Sequence, residues 1–259
     1  MADPHALLRS GDLDGARAAL VEIVRNQPGY AEARMFLFQL FAVLGEWDKA
    51  ELQLATLAKL SPEAQMLAVA YGQAIAAERD RAAVLAGNGE VHVHAANDGW
   101  PLQLAHSIGC LARGEMARGA GLRNAAFDLA ADTPGAIDGR AFEWIANADP
   151  RFGPTFEAII AGRWGIMPFE AIEKISSSGV RDLRDLVWFP VEIALRAGRS
   201  VAALLPGRYP FTEVRGSPSE KLARATGWSE AGEGLGQQTF ALSGGDEIGL
   251  LAIRSLTFE

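Results

Sequence analysis

The stretch Asp149-Pro150-Arg151-Phe152-Gly153-Pro154, with its continuation to Arg181-Asp182-Leu183-Arg184-Asp185-Leu186-Val187-Trp188-Phe189-Pro190, divides the chain into two kinds of sequence. Upstream of it, apolar residues recur at helical spacing. Downstream, they come in short alternating runs separated by glycine-containing turns. That change of period places the chain in the α+β class. It predicts a helical half over residues 1–135 and a small, mostly antiparallel, barrel-like half over residues 136–259.

The helical half repeats itself. Gly11 and Gly45 stand 34 residues apart, and the same offset relates Asp14 to Asp48, Ala16 to Ala50, Leu20 to Leu54 and Pro28 to Pro62. A period of 34 with helical patterning is that of a tetratricopeptide-like helix-turn-helix repeat. Leu13, Ala16, Leu20, Ile23 and Val24 form one apolar stripe; Ala33, Phe36, Leu37, Leu40, Phe41 and Leu44 form a heavier one. Gly45 ends that second helix, and Pro62 suits the first position of a later one. Beyond Pro62 the period degrades. A helix runs on to about Leu85, Gly87-Asn88-Gly89 breaks it, and a further pair covers Trp100 to Arg113 and Glu115 to Ala131. About three helical pairs result, the middle one irregular.

In the second half, Thr155–Ile160 and Trp164–Phe169 flank Ala161-Gly162-Arg163, a hairpin with a short turn. Val191–Arg196 turns through Ala197-Gly198-Arg199 into Ser200–Leu205. Gln237–Leu242 and Glu247–Ile253 flank Ser243-Gly244-Gly245-Asp246 as a third hairpin. Only Ser219 to Ala225 reads as helical here. Three hairpins predict a strongly bent sheet or a small barrel.

Composition narrows the classes. A chain of 259 residues, 49% hydrophobic and 22% charged, has the make-up of a soluble globular protein with ample core material. A net charge of −8 gives no general attraction to nucleic acid or anionic lipid. No run approaches the ~20 apolar residues of a membrane span. Met1-Ala2-Asp3-Pro4-His5 lacks the pattern of a signal peptide, and Cys110 is the single cysteine, so a reducing cytoplasm is expected.

The serial order of short motifs resembles one family. After Asp149–Pro154 come Gly162-Arg163-Trp164, Pro168-Phe169-Glu170, Arg181–Trp188, Arg208-Tyr209-Pro210, Thr226-Gly227-Trp228 and Gly236-Gln237. In that order and spacing the C-terminal half resembles the ImpE family (also termed TagJ or SciE-type) of type VI secretion accessory proteins, and the helical half fits it as well. The family often has glycine after the Tyr-Pro pair, where this chain has Phe211, which bears on the local turn. The resemblance implies a cytoplasmic, non-enzymatic protein. Its implied partners are the small, TssB-like subunit of the contractile sheath and the ClpV-type ATPase that recycles it.

Candidate sites follow from the residues. Stacked helix pairs form a groove suited to an amphipathic helix of a partner. Tyr30 and Phe38 fall off the buried stripe and could line that groove, or could pack against a neighbouring pair or the C-terminal half. Arg181, Asp182, Arg184 and Asp185 form either a docking surface whose guanidinium groups fork onto carboxylates or a helical turn whose charges pair locally. His92 and His94 share one side of an extended segment, but without a third ligand nearby they read as exposed linker residues, and no metal is expected. Gly232–Gly236 precedes a strand and lacks a P-loop lysine, so it reads as a flexible connection. No catalytic residues and no cofactor site emerge: there is no nucleophile elbow, Cys110 has no obvious histidine partner, and acidic pairs such as Asp138/Glu143 are unremarkable among 32 acidic residues. The competing hypothesis is a small-molecule or enzymatic pocket in the barrel, built from Arg163, Trp164, Trp188 and Trp228.

Overall fold

Gly11 and Gly45, the leading pair of the repeat, both adopt left-handed backbone, with φ of 84° and 71°, and each ends a helix. In the computed structural model, which describes residues 3–96 and 98–259, the helical half consists of α1 (Pro4–Ser10), α2 (Leu13–Asn26), α3 (Ala31–Leu44), α4 (Trp47–Leu60), α5 (Pro62–Leu85), α6 (Trp100–Ala112) and α7 (Met116–Leu129). Helices α1–α2 and α3–α4 are the two repeat units. Ala16 and Ala50, at equivalent positions, have no exposed surface, and so the paired helices can close on each other. Pro62 opens α5 at its first turn. The irregular middle unit is this single 24-residue helix, followed by the antiparallel pair α6–α7.

The strands are β1 (Gly135–Ile137), β2 (Arg140–Phe142), β3 (Ile145–Asn147), β4 (Thr155–Ile160), β5 (Arg163–Pro168), β6 (Ile172–Ser176), β7 (Trp188–Leu195), β8 (Ser200–Pro206), β9 (Thr226–Trp228), β10 (Gly234–Gly236), β11 (Thr239–Leu242), β12 (Glu247–Gly249) and β13 (Ser255–Phe258). Eight of them form an antiparallel sheet in the order β2-β1-β13-β6-β7-β8-β4-β5, beside a three-stranded sheet β12-β11-β3 and a ribbon β10-β9. The end strands β2 and β5 do not meet, so the half is barrel-like only loosely. Phe169 packs against Phe156, Phe240 and Phe258 at centroid distances of 5.3, 5.6 and 5.8 Å, a core between the two larger sheets. The expected hairpins are β4–β5, β7–β8 and β11–β12. The segment expected to be helical at Ser219–Ala225 is one turn, Pro218–Lys221, and residues 222–225 lead non-helically into β9.

The two halves share a core. Trp164, Ile166 and Trp188 from the sheet are buried in one cluster with Leu37, Phe38, Leu54 and Ile75 from the helices. Trp188 sits between Trp47 and Tyr71, at 5.9 and 5.5 Å. Arg208 reaches back to the end of α3, donating to the Val43 carbonyl at 2.7 Å and to that of Lys221 at 2.7 Å.

The Asp149–Pro154 motif is a structural staple. The Asp149 carboxylate, fully buried, accepts from Arg151 Nη2 at 2.6 Å, from the Arg151 backbone N–H at 2.9 Å and from that of Gly234 at 3.1 Å. Gly153 takes φ of 46°, and a Cβ there would lie 2.1 Å from the Phe127 ring. Phe211 adopts φ of 63°, the left-handed conformation that the family's frequent glycine serves more cheaply.

Candidate functional site

An apolar cleft of about 1050 Å³ opens where the helical stack meets the sheet half. One wall comes from α1, α3 and α5, through Pro4, His5, Leu8, Met35, Phe36, Gln39, Ala64 and Leu67, and Leu20 and Ile23 of α2 and Leu57 of α4 also line it. The opposing wall is Val180–Leu183 with Leu186, Leu222 and Arg224. The rest of the trough is filled from within. Trp188 and Arg184 pack on Tyr71, and Tyr71 meets the edge of Phe38 at 5.8 Å.

The predicted residues divide accordingly. Tyr30 is 42% exposed, precedes α3 at the lip and donates its hydroxyl to Glu32 Oε2 at 3.0 Å; that carboxylate raises the phenol's pKa. Phe38 is 0% exposed, which corrects its expected place in the groove. Leu37 through Val43 are all buried, because α3 is packed by helices on its flanks and by residues 183–188 on its front. A helix apolar all round carries no stripe by which to choose its open face. Phe36, assigned to the buried stripe, is the aromatic that faces the cleft, stacked on His5 at 4.5 Å.

The Arg/Asp segment also splits. Arg181 and Asp182 line the cleft. Asp185 is buried and accepts the backbone N–H groups of Arg181 and Asp182 at 2.8 and 2.9 Å, holding the one-turn 3-10 helix Leu183–Leu186. Arg184 pairs with Asp182, donates to the Tyr71 hydroxyl at 2.9 Å and stacks over that ring at 4.9 Å. These two side chains brace the segment, and Leu183 and Leu186 between them reach the cleft.

Sequence reasoning passed over Met35, Gln39, Leu67, Leu222 and Arg224. Gln39 had a visible signal: it is the one amide in the apolar run Met35–Leu44.

Other expectations are corrected. The segment around Val93 pairs in parallel with Ile166, and His94 is buried with Nε2 3.2 Å from the Ala158 carbonyl. Burial and the neighbouring His92 push His94 down to about 4. It is thus a neutral core side chain and no exposed linker residue. The glycine run 232–236 is tied into β10 by pairing with β9. The hypothetical barrel pocket does not assemble. Trp164 donates to buried Glu157 at 3.0 Å, Trp188 lies in the interhalf core, and Trp228 is 43% exposed against Tyr209. The cavity within the sheet core measures about 10 Å³, room for one water at most.

A tetratricopeptide-type stack fused to an open antiparallel sheet, with its principal cleft at the junction, defines a helical-repeat α+β protein. A tetratricopeptide-repeat family model matches residues 7–70, and the model described as ImpE protein matches residues 139–257. The chain is 40% identical over 255 residues to the "Type VI secretion system accessory component TagJ" of Pseudomonas aeruginosa, covering 98% of this chain and 90% of that one. The crystal structure of protein VPA1032 from Vibrio parahaemolyticus has the same fold, with a TM-score of 0.88 at 20% identity, over 100% of this chain and 98% of that one. The chain belongs to the ImpE family. Among the described residues, no helix is long and apolar enough to cross a membrane.

Proposed function

We propose that this protein is a cytoplasmic, non-enzymatic accessory component of a type VI secretion system. It holds a helix of the small, TssB-like sheath subunit in the cleft and links the sheath to its ClpV-type ATPase. The observation that carries the cleft assignment is the open apolar surface between α1, α3, α5 and residues 180–186. An open apolar cleft rimmed by Tyr30, Glu32, Glu63 and Arg181 suits the apolar face of an amphipathic helix. The name of the Pseudomonas relative supports the secretion-system role; the sheath and ATPase assignments rest on the family resemblance.

Co-purification of the full chain with the small sheath subunit, with and without the ATPase, tests this reading. Tyr30→Ala should weaken retention and Leu67→Lys, which sets a charge in the apolar wall, should abolish it. Failure of the wild type to retain the subunit overturns the partner assignment. Retention unchanged in both variants moves the contact away from the cleft. An ATPase recovered equally without this protein removes the linking role.

A further inference from the structure

Among the described residues, one buried polar side chain of the cleft has no hydrogen-bond partner within the protein. Four amide side chains are buried among the described residues: Gln39, Gln53, Asn147 and Gln238. Gln53 accepts from Arg34 Nη1 at 2.9 Å, Asn147 donates to Gln238 at 3.0 Å, and Gln238 donates to Glu157 at 2.7 Å. Among the described residues Gln39 alone of the four makes no side-chain hydrogen bond. It is 7% exposed, lies mid-way along α3, and lines the cleft, whose lining also includes Leu20, Leu183 and Leu222.

The physical consequence concerns what covers it. While the cleft is open, water reaches the amide. A purely apolar helix face laid over it would displace that water and strand a donor and an acceptor in an apolar setting. A charged group brought there would lose its own hydration among leucines, so a neutral hydrogen-bonding group is favoured. A single amide in an apolar seam is also a device that fixes register, because only one alignment pairs it.

We infer that Gln39 is the specificity-determining contact of the cleft, and that its occupant is an amphipathic helix with one Asn, Gln, Ser or Thr within its apolar face. The rim adds charge complementarity. The helical wall carries Glu32 and Glu63, and the opposing wall Arg181 and Arg224 beside Asp182, whose charge is paired with Arg184, so the occupant bears a basic flank towards the first and an acidic flank towards the second. This rests on the capture of a helix in the cleft proposed above.

The test is calorimetric titration of the purified small sheath subunit into the full chain and its variants. Gln39→Leu should raise Kd roughly tenfold, the usual effect of leaving one buried polar group unpaired. The same variant should melt no lower than the wild type, since the amide it removes makes no hydrogen bond among the described residues. One polar residue of the bound helix should, on change to alanine, weaken wild-type binding comparably and weaken Gln39→Leu little further. Gln39→Leu binding as tightly as the wild type, while Leu67→Lys abolishes binding, overturns the inference and leaves helix capture standing. A marked fall in melting temperature for Gln39→Leu assigns the amide to folding and overturns it too. Absence of wild-type binding overturns helix capture and the inference together.

Discussion

Arg81 on α5 and Glu157 on β4 meet in two parallel contacts of 2.7 Å, Nε to Oε1 and Nη2 to Oε2, with both side chains sealed from solvent. The pair is the polar counterpart of the core shared by the two halves. Trp164 and Gln238 donate to the same carboxylate at 3.0 and 2.7 Å, and Arg81 also donates to the Arg208 carbonyl at 3.0 Å. Glu78, 3.2 Å from Arg81, is held protonated more readily than usual because burial disfavours its charge. Arg81→Met would leave the buried Glu157 carboxyl without its fork. The expected loss is about 3–5 kcal/mol of unfolding free energy, the range for breaking one side of a buried pair. Urea unfolding followed by tryptophan fluorescence measures it, and a loss under about 1 kcal/mol would sink the claim that this pair joins the halves.

Tyr30 and Phe38 looked equivalent in the sequence and should behave oppositely. Phe38→Ala opens a void among Tyr71 and the α3 neighbours, and it should cost about 3–5 kcal/mol of stability. Tyr30→Ala sits at an exposed lip and should stay within about 0.5 kcal/mol of the wild type. Thermal melts of the two variants separate the core residue from the lip residue. Near-equal melting temperatures would contradict the packing described for α3.

How much was legible follows from the length of each signal. The 34-residue period, the glycine stops and Pro62 marked the helices because each reports a local backbone requirement that tertiary contacts do not override. The hairpins β4–β5 and β7–β8 were legible through their longer strands and turns, and β11–β12, whose strands are short, through the turn Ser243-Gly244-Gly245-Asp246. Strands β1, β2, β3, β9, β10 and β13, of three or four residues each, are too short for alternation to register and depend on pairing with distant partners such as Gly135 with Phe258. The cleft was legible in kind and only half legible in detail. Nothing in the local pattern says that residues 180–186 will return to cover the front of α3, and that return is what buries Phe38 and leaves Phe36 facing outward. His94 was misplaced for the same reason, since the parallel pairing of Val93 with Ile166 has no local signature.

That pairing makes stability depend on pH. His94 titrates at about 4 in the folded chain, against an ordinary value near 6.5, because burial and the positive neighbours His92 and Arg163 disfavour its imidazolium. Above pH 6.5 the ring is neutral in both folded and unfolded chains, so it contributes no pH dependence. Below that value the unfolded chain takes up a proton that the folded chain refuses, and stability falls until the folded ring itself titrates near 4. Between pH 7 and pH 5 the loss from this group should be about 2 kcal/mol. His92, whose pKa burial and Arg163 also lower, adds a fall of the same sign, so the informative quantity is the difference between wild type and His94→Asn. Asparagine cannot take up the proton, so the variant's stability should decline less over the interval. Equal slopes for the two proteins in urea unfolding at pH 7, 6 and 5 would show that His94 is protonated as readily folded as unfolded, and that the Val91–Ala96 segment does not seal it against β5.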